Sequence, residues 1–144
     1  MIATEFCFIY SSVKLCLIFR QVILMEKEKI NYEKDYVNKP WGHYCDVADN
    51  KGKWNLKVIF VEKGKRLSLQ RHQLRSELWM VADGKIEAIV GEDKETLSAE
   101  ETIYIEKGKI HRATALEDST VVELSFGLHD ENDIERLEDD HGRV

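Results

Sequence analysis

Short runs of alternating apolar and polar residues occupy the chain from residue 39 onward. Alternation with a period of two is typical of β-strands that bury one face, and these runs are rich in β-branched and aromatic side chains. The pattern predicts six strands, at residues 54–61, 66–70, 77–81, 85–90, 102–105 and 120–126.

Turn sequences that contain glycine separate the predicted strands. Asp83-Gly84 lies between two of the runs and predicts a hairpin, because glycine accepts the positive φ of a tight primed turn. Short strands at this spacing predict an antiparallel sandwich or barrel. Helical periodicity is confined to residues 26–36 and 132–137, so the predicted fold class is all-β with short flanking helices.

The N-terminal segment differs from the rest because residues 6–25 are mostly apolar. The segment lacks the charge order and the small residues of a signal peptide, and Lys14 would lie inside a membrane span at high cost. A membrane anchor is the less favoured interpretation, although the run approaches a spanning length. We therefore predict an extension at residues 1–25 and one domain at residues 26–144, with its barrel at about 39–127 and a tail at 128–144.

The composition of the chain argues against some classes of binding partner. The 144 residues suit one domain, and the net charge of -6 argues against a nucleic acid or an anionic membrane as partner. Three cysteines without a CxxC pair favour a reduced, cytoplasmic setting.

Three polar residues share a spacing that suits a metal site. Gln70 and His72 are two apart on a predicted strand and project from the same face. Glu77 begins the next predicted strand after a short connection that can fold it back beside them. Each residue alone has an ordinary explanation, as a hydrogen-bonded core histidine, a satisfied amide or a surface carboxylate. Together they suit a divalent ion of the first-row or zinc kind.

The spacing Gly-x5-Gln-x-His-x4-Glu-x6-Gly at residues 64–84 resembles the first cupin motif, with Gln in place of the first His. Residues 104–111 resemble the second motif, although Glu106 and Ala115 replace its usual Pro and Asn. The resemblance implies a single cupin barrel, which is a double-stranded β-helix or jelly roll. It also implies one divalent metal ion, zinc first and manganese, cobalt, iron or magnesium as alternatives, held by Gln70, His72, Glu77 and His111.

Three segments are similar to the cupin-fold type II phosphomannose isomerases, which form the isomerase domain of bifunctional mannose-1-phosphate guanylyltransferase/phosphomannose isomerases. They are residues 39–44 (KPWGHY), 67–79 (LSLQRHQLRSELW) and 133–143 (DIERLEDDHGR). The glycine-rich nucleotide loop of the guanylyltransferase domain is missing from the sequence, so we expect a standalone isomerase domain. The sugar stays open, because residues such as Gln73, Leu74, Leu78 and Ser125 depart from the family pattern.

This resemblance implies that the protein interconverts mannose 6-phosphate and fructose 6-phosphate and so feeds GDP-mannose and polysaccharide synthesis. The reaction moves a proton between C2 and C1 and requires cations for the phosphate and the enediolate. The resemblance assigns these roles to Arg75 and Arg112, with Lys57 as a further candidate. Strand alternation would point Arg112 away from the ligand face, which makes it the less secure of the two. The general base stays open, with His43 and Glu123 as candidates.

Two other functions remain open at this stage. One is a non-catalytic or regulatory metal-binding cupin that partners a separate mannose-1-phosphate guanylyltransferase. The other is an oxygen-using iron cupin, which the Gln-for-His change disfavours because such sites need more imidazole. We expect a phosphorylated hexose as ligand and neither nucleic acid nor membrane as partner, and a homodimer is left open.

Overall fold

The computed structural model describes residues 36–50 and 52–143 of the chain. The predicted extension at residues 1–25, and all of the first predicted helix except Tyr36, lie outside these residues. The described part contains eleven strands and one 3-10 helix, Glu131–Asp133. The strands are β1 (Tyr36–Lys39), β2 (Gly42–Asp49), β3 (Trp54–Val61), β4 (Leu69–Arg71), β5 (Arg75–Asp83), β6 (Lys85–Val90), β7 (Asp93–Ser98), β8 (Thr102–Ile105), β9 (His111–Ala115), β10 (Ser119–Gly127) and β11 (Glu135–Glu138).

Two antiparallel sheets make up the domain. The first has six strands in the order β1-β2-β3-β10-β5-β8, and the second has five in the order β11-β4-β9-β6-β7. The predicted all-β class is confirmed. β3, β6 and β8 have the predicted bounds, and β5 and β10 extend beyond them at both ends. Within the described residues, no helix has the length and hydropathy needed to cross a membrane.

The hairpin predicted at Asp83-Gly84 is wrong. β5 pairs with β10 and β8, whereas β6 pairs with β7 and β9, so the turn carries the chain from one sheet to the other. The turn still requires glycine, since Gly84 has φ +81° and a Cβ there would collide with the carbonyl of Asp118.

The helix predicted at residues 132–137 is also wrong. Only the short 3-10 helix forms there, and the chain then continues as β11 along the free edge of β4. The register pairs Glu135 with Arg71 and Arg136 with Gln70. An isolated helix of six residues is too short to be stable, whereas a strand at this edge gains backbone hydrogen bonds. β11 therefore becomes part of the wall of the barrel.

The interior of the barrel is apolar along one part of its strands and polar along the other. On β10, Val121 packs into the apolar core, and Glu123 and Ser125 follow it on the same buried face. On the neighbouring β5, Trp79 is followed toward the strand start by the buried Glu77. Strand alternation thus brings polar side chains together beside a packed core.

Candidate metal and substrate site

Three buried side chains meet in the polar part of the barrel: His72, Glu77 and His111. One donor atom from each lies within 4.8 Å of the others. Glu77 Oε1 is 3.2 Å from His72 Nε2, and Glu77 Oε2 is 3.5 Å from His111 Nε2. His72 directly follows β4 and His111 begins β9, and these two strands are neighbours in one sheet. Glu77 lies on β5 in the other sheet, so the fold brings residues of both cupin-like motifs together here.

The ring of His111 has a defined tautomer. Its Nδ1 is 2.9 Å from the carbonyl oxygen of Lys109, which can only accept, so Nδ1 carries the proton. Nε2 therefore keeps its lone pair, and it is buried without a hydrogen-bond partner among the described residues. Burial also lowers the pKa of His111, which keeps the ring neutral. A buried imidazole nitrogen that faces a carboxylate fits a divalent cation.

His72 offers a second neutral nitrogen. Burial, then the positive charge of Arg75 and the ring of His111, lowers the pKa of His72 to about 2. A metal ligand must be deprotonated, and His72 meets this condition throughout the physiological pH range.

The carboxylate of Glu77 is held by two donors. Trp79 Nε1 donates to Oε2 at 3.1 Å, and Arg75 Nε donates to Oε1 at 2.9 Å. Burial raises the pKa of Glu77, and the charge of Arg75 opposes this effect. Arg75 Nη2 also lies 3.1 Å from His72 Nε2, and its Nη1 donates to the carbonyl of Asp130 at 3.3 Å. Arg75 therefore supplies positive charge directly beside the three candidate ligands.

Gln70 is adjacent to this group. Its Cα pairs with that of His111 across β4 and β9, and its Nε2 is 3.3 Å from His72 Nε2. Its Oε1 accepts a hydrogen bond from Ser68 Oγ at 2.7 Å. In this rotamer the amide nitrogen faces the candidate site, and exchange of the two amide ends would present the oxygen instead.

A cavity opens beside Gln70 and Arg75. Lys57 and Glu123 also line it, and they pair with each other across β3 and β10. Burial, and then the neighbouring charge of Glu77, raises the pKa of Glu123 to about 7. This buried carboxyl group can therefore take up and release a proton near neutral pH.

The other base candidate, His43, is not among the residues that line this cavity. Its ring stacks on Phe60 at 5.0 Å and meets the edge of Tyr36 at 4.5 Å. Glu123 is therefore the better placed of the two candidates for contact with a ligand.

Arg112 also lies outside the lining of the cavity. Its Nη1 donates to Glu138 Oε2 at 2.9 Å, and its Nε donates to the carbonyl of Leu67 at 3.1 Å. The side chain therefore joins β9 to the end of β11, on the side that strand alternation predicts. A substrate role for Arg112 stays a prediction, and this placement gives it no support.

Two arginines that sequence reasoning did not single out, Arg136 and Arg143, line the cavity. Both lie in the segment at residues 133–143 that resembles the type II phosphomannose isomerases. Because a helix was predicted for residues 132–137, the strand alternation that directs Arg136 into the barrel was not considered. The resemblance was the one signal in the sequence that could have drawn attention to these two residues.

Comparisons with known proteins agree with this architecture. Residues 26–139 match the family described as mannose-6-phosphate isomerase C-terminal. The alginate biosynthesis protein AlgA of Pseudomonas aeruginosa is 37% identical over 114 residues, which are 75% of this chain and 23% of that protein. Mannose-1-phosphate guanylyltransferase ManC of Salmonella typhimurium is 34% identical, with the same coverage. The chain thus spans about a quarter of the length of these relatives.

Solved structures show the fold. KdgF from a Halomonas species has a TM-score of 0.66 at 24% identity, covering 72% of this chain and 94% of that one. An RmlC-like cupin from Shewanella frigidimarina has a TM-score of 0.63 at 14% identity, covering 71% and 90%. The predicted cupin barrel is therefore confirmed.

Proposed function

The chain belongs to the family of mannose-6-phosphate isomerase C-terminal domains, and on that basis we propose that it interconverts mannose 6-phosphate and fructose 6-phosphate. One observation carries the proposal: three buried ligand-type side chains, His72, Glu77 and His111, converge beside a cavity lined by cations. The names of relatives in alginate and xanthan biosynthesis support a role in supplying polysaccharide precursors. The cytoplasm, which the cysteine content favours, is the compartment that we propose for this role.

The residues that would hold the metal ion are His72, Glu77 and His111, with Gln70 as a fourth ligand. Two neutral imidazoles, a carboxylate and an amide oxygen suit zinc first, and manganese, cobalt, iron or magnesium as alternatives. A bound ion would polarise the substrate oxygens at C1 and C2 and stabilise the negative charge of the enediolate.

We assign the proton transfer to Glu123. Its carboxyl group is buried in the cavity wall, and a pKa raised to about 7 suits a group that must accept and return a proton at neutral pH. In the forward direction a Glu123 oxygen would take the proton from C2 of mannose 6-phosphate and return it to C1. The proton of the O2 hydroxyl would pass to O1, so that C1 becomes the hydroxymethyl carbon and C2 the carbonyl carbon. Ser125 Oγ, 3.4 Å from Glu123 Oε1, helps to orient the carboxyl group.

Arg75 has a second role in this proposal. Its Nη2 donates to the same His72 nitrogen that a metal ion would use, so occupancy of the site requires this N–H to turn away. The released guanidinium group then faces the cavity, which it already lines. Arg75 and Lys57 are therefore the cations that we place at the anionic oxygens of the substrate, in preference to Arg112.

A coupled assay that detects fructose 6-phosphate tests the proposal. Purified full-length protein is assayed with mannose 6-phosphate after loading with each of the five candidate metals. We expect metal-dependent turnover that Glu123→Gln abolishes without loss of bound metal, and the exposed Glu95→Gln on β7 serves as the control.

Absence of turnover with every metal would refute the isomerase. The alternative is then a non-catalytic cupin that partners a separate mannose-1-phosphate guanylyltransferase. The Salmonella relative is named for guanylyltransferase activity, which supports this alternative. Calorimetry separates the two functions, because the binding protein would bind mannose 6-phosphate without converting it.

A further inference from the structure

We propose that the segment at residues 134–143 forms a subsite for a phosphate monoester, with Arg136 and Arg143 as its anion-binding groups. The inference deepens the proposed function, on which the identity of the ligand as a sugar phosphate rests. It replaces Arg112 with two arginines that lie elsewhere in the chain.

Arg136 is directed into the barrel by its register. Its Cα pairs with that of Gln70 across β11 and β4, and directly paired residues project from the same face of a sheet. Both side chains line the same cavity. The neighbouring pair, Arg71 and Glu135, projects to the opposite face, where the two side chains form an exposed salt bridge at 2.7 Å. Alternation thus directs Glu135 to the outer face and Arg136 to the cavity, before the register shifts between Arg136 and Glu138.

Arg136 and Arg143 also have unused hydrogen-bonding capacity. The Nε of each is buried and lacks a hydrogen-bond partner among the described residues. Arg143 uses Nη2 in an ion pair with Asp139 at 2.6 Å, and this partly neutralises its charge. A buried donor without a partner is costly, and an anion that accepts from it recovers this cost.

The charge of the cavity favours an anionic ligand. One acidic side chain, Glu123, lines the cavity. Five basic side chains line it as well: Lys39, Lys57, Arg75, Arg136 and Arg143. The whole chain carries a net charge of -6, so this concentration of positive charge is local. A phosphate monoester supplies a charge close to -2 and three acceptor oxygens, which matches two or more guanidinium groups.

Other contacts hold the segment in place. Arg66 pairs with Asp140 at 2.6 Å, and Arg112 pairs with Glu138 at 2.9 Å. Neither of these arginines lines the cavity, and neither does Arg71. Because three ion pairs outside the cavity fix the segment, Arg136 and Arg143 are not needed to dock it.

Isothermal titration of the full-length protein with inorganic phosphate at constant ionic strength tests the subsite. Arg136→Gln should weaken phosphate binding by roughly ten- to hundredfold, since a charge-assisted hydrogen bond is lost. Arg143→Gln should weaken it by roughly three- to tenfold, because Asp139 already shares that charge. The control is Lys94→Gln, which removes one positive charge from the exposed β7, outside both the cavity and the segment, and should leave binding within about twofold.

The thermal midpoint is measured for each variant. If Arg136→Gln is unfolded, Arg136→Lys and Arg143→Gln test the subsite in its place. Arg136→Lys keeps the charge and should retain most of the phosphate binding, whereas Arg143→Gln should weaken it as stated above. Equal weakening in Lys94→Gln and Arg136→Gln would overturn the inference, as would wild-type protein that binds no phosphate. Phosphate held only by a bound metal ion would bind all variants alike, which would also overturn it. If the protein binds phosphate through Arg136 but has no isomerase activity, the subsite is supported and the proposed function is refuted.

Discussion

Replacing Glu123 by Gln should stabilise the metal-free protein by an amount that grows with pH. The side chain is buried, and its pKa is raised from an ordinary value of 4.5 to about 7. Below pH 4.5 the carboxyl group is protonated in both the folded and the unfolded chain. Between pH 4.5 and 7 the unfolded chain loses this proton and the folded chain keeps it. The contribution of Glu123 to stability therefore falls as pH rises through this window and stays low above it.

The size of the effect follows from the two pKa values. Each pKa unit corresponds to about 1.4 kcal/mol, so the gap between 4.5 and about 7 amounts to about 3 kcal/mol. Glutamine resembles the protonated acid at every pH and removes this dependence. The free energy of unfolding of Glu123→Gln, relative to wild type, should therefore rise by about 3 kcal/mol from pH 4.5 to pH 8.

Urea denaturation of chelator-treated protein, followed by the fluorescence of tryptophans such as the buried Trp79, measures this difference. Glu95→Gln, on the exposed face of β7, should give a difference that does not change with pH. If Glu123→Gln differs from wild type by the same amount at pH 4.5 and pH 8, the buried acid does not titrate as argued. Its assignment as the proton-transfer group would then lose its physical basis.

Three further predictions concern the metal, the N-terminus and Arg75. The double variant His72→Ala/His111→Ala should lose its bound metal while wild type keeps it, and equal metal content by elemental analysis would refute the site. A protein that starts at Met25 should keep its thermal midpoint and activity, because the family match begins at residue 26, and loss of folding would contradict the proposed domain boundary. Arg75→Ala should lower kcat/KM by roughly ten- to hundredfold, whereas Lys94→Ala on the exposed β7 should not. Equal losses in both variants would show a general effect of charge.

Local spacing in the sequence predicted six of the eleven strands and the proximity of His72 to Glu77. The period-two pattern identified β3, β6 and β8 with their bounds because burial alternates along each of these strands. On β3 the buried face includes the polar Asn55 and Lys57, so hydrophobicity alone did not identify its inner face. The glycine-bracketed motif placed His72 and Glu77 together because only a short connection separates β4 from β5. These features depend on residues that are close together in the chain, so their pattern can be read directly from the sequence.

Features that depend on distant strands were not predictable in this way. Gly84 encodes the local φ of its turn, but the partners of β5 are β8 and β10, and no turn residue specifies that choice. Arg136 reaches the cavity because β11 pairs with β4, more than sixty residues earlier in the chain. Read alone, residues 132–137 have a helical period, and the free edge of β4 makes most of them part of the strand Glu135–Glu138. The arginines of the cavity were missed for this reason.

The position of Arg75 has a consequence for how the protein acquires a metal. Its guanidinium group already neutralises Glu77 in the structure described here, and it links that carboxylate to the carbonyl of Asp130. The barrel therefore contains its own counter-ion for Glu77, so this buried carboxylate has a partner of opposite charge supplied by the chain itself. If the site binds a metal ion, we expect a chelator to remove it and another ion to replace it without unfolding the barrel. The ion found in a purified sample would then reflect the growth medium as much as the preference of the site.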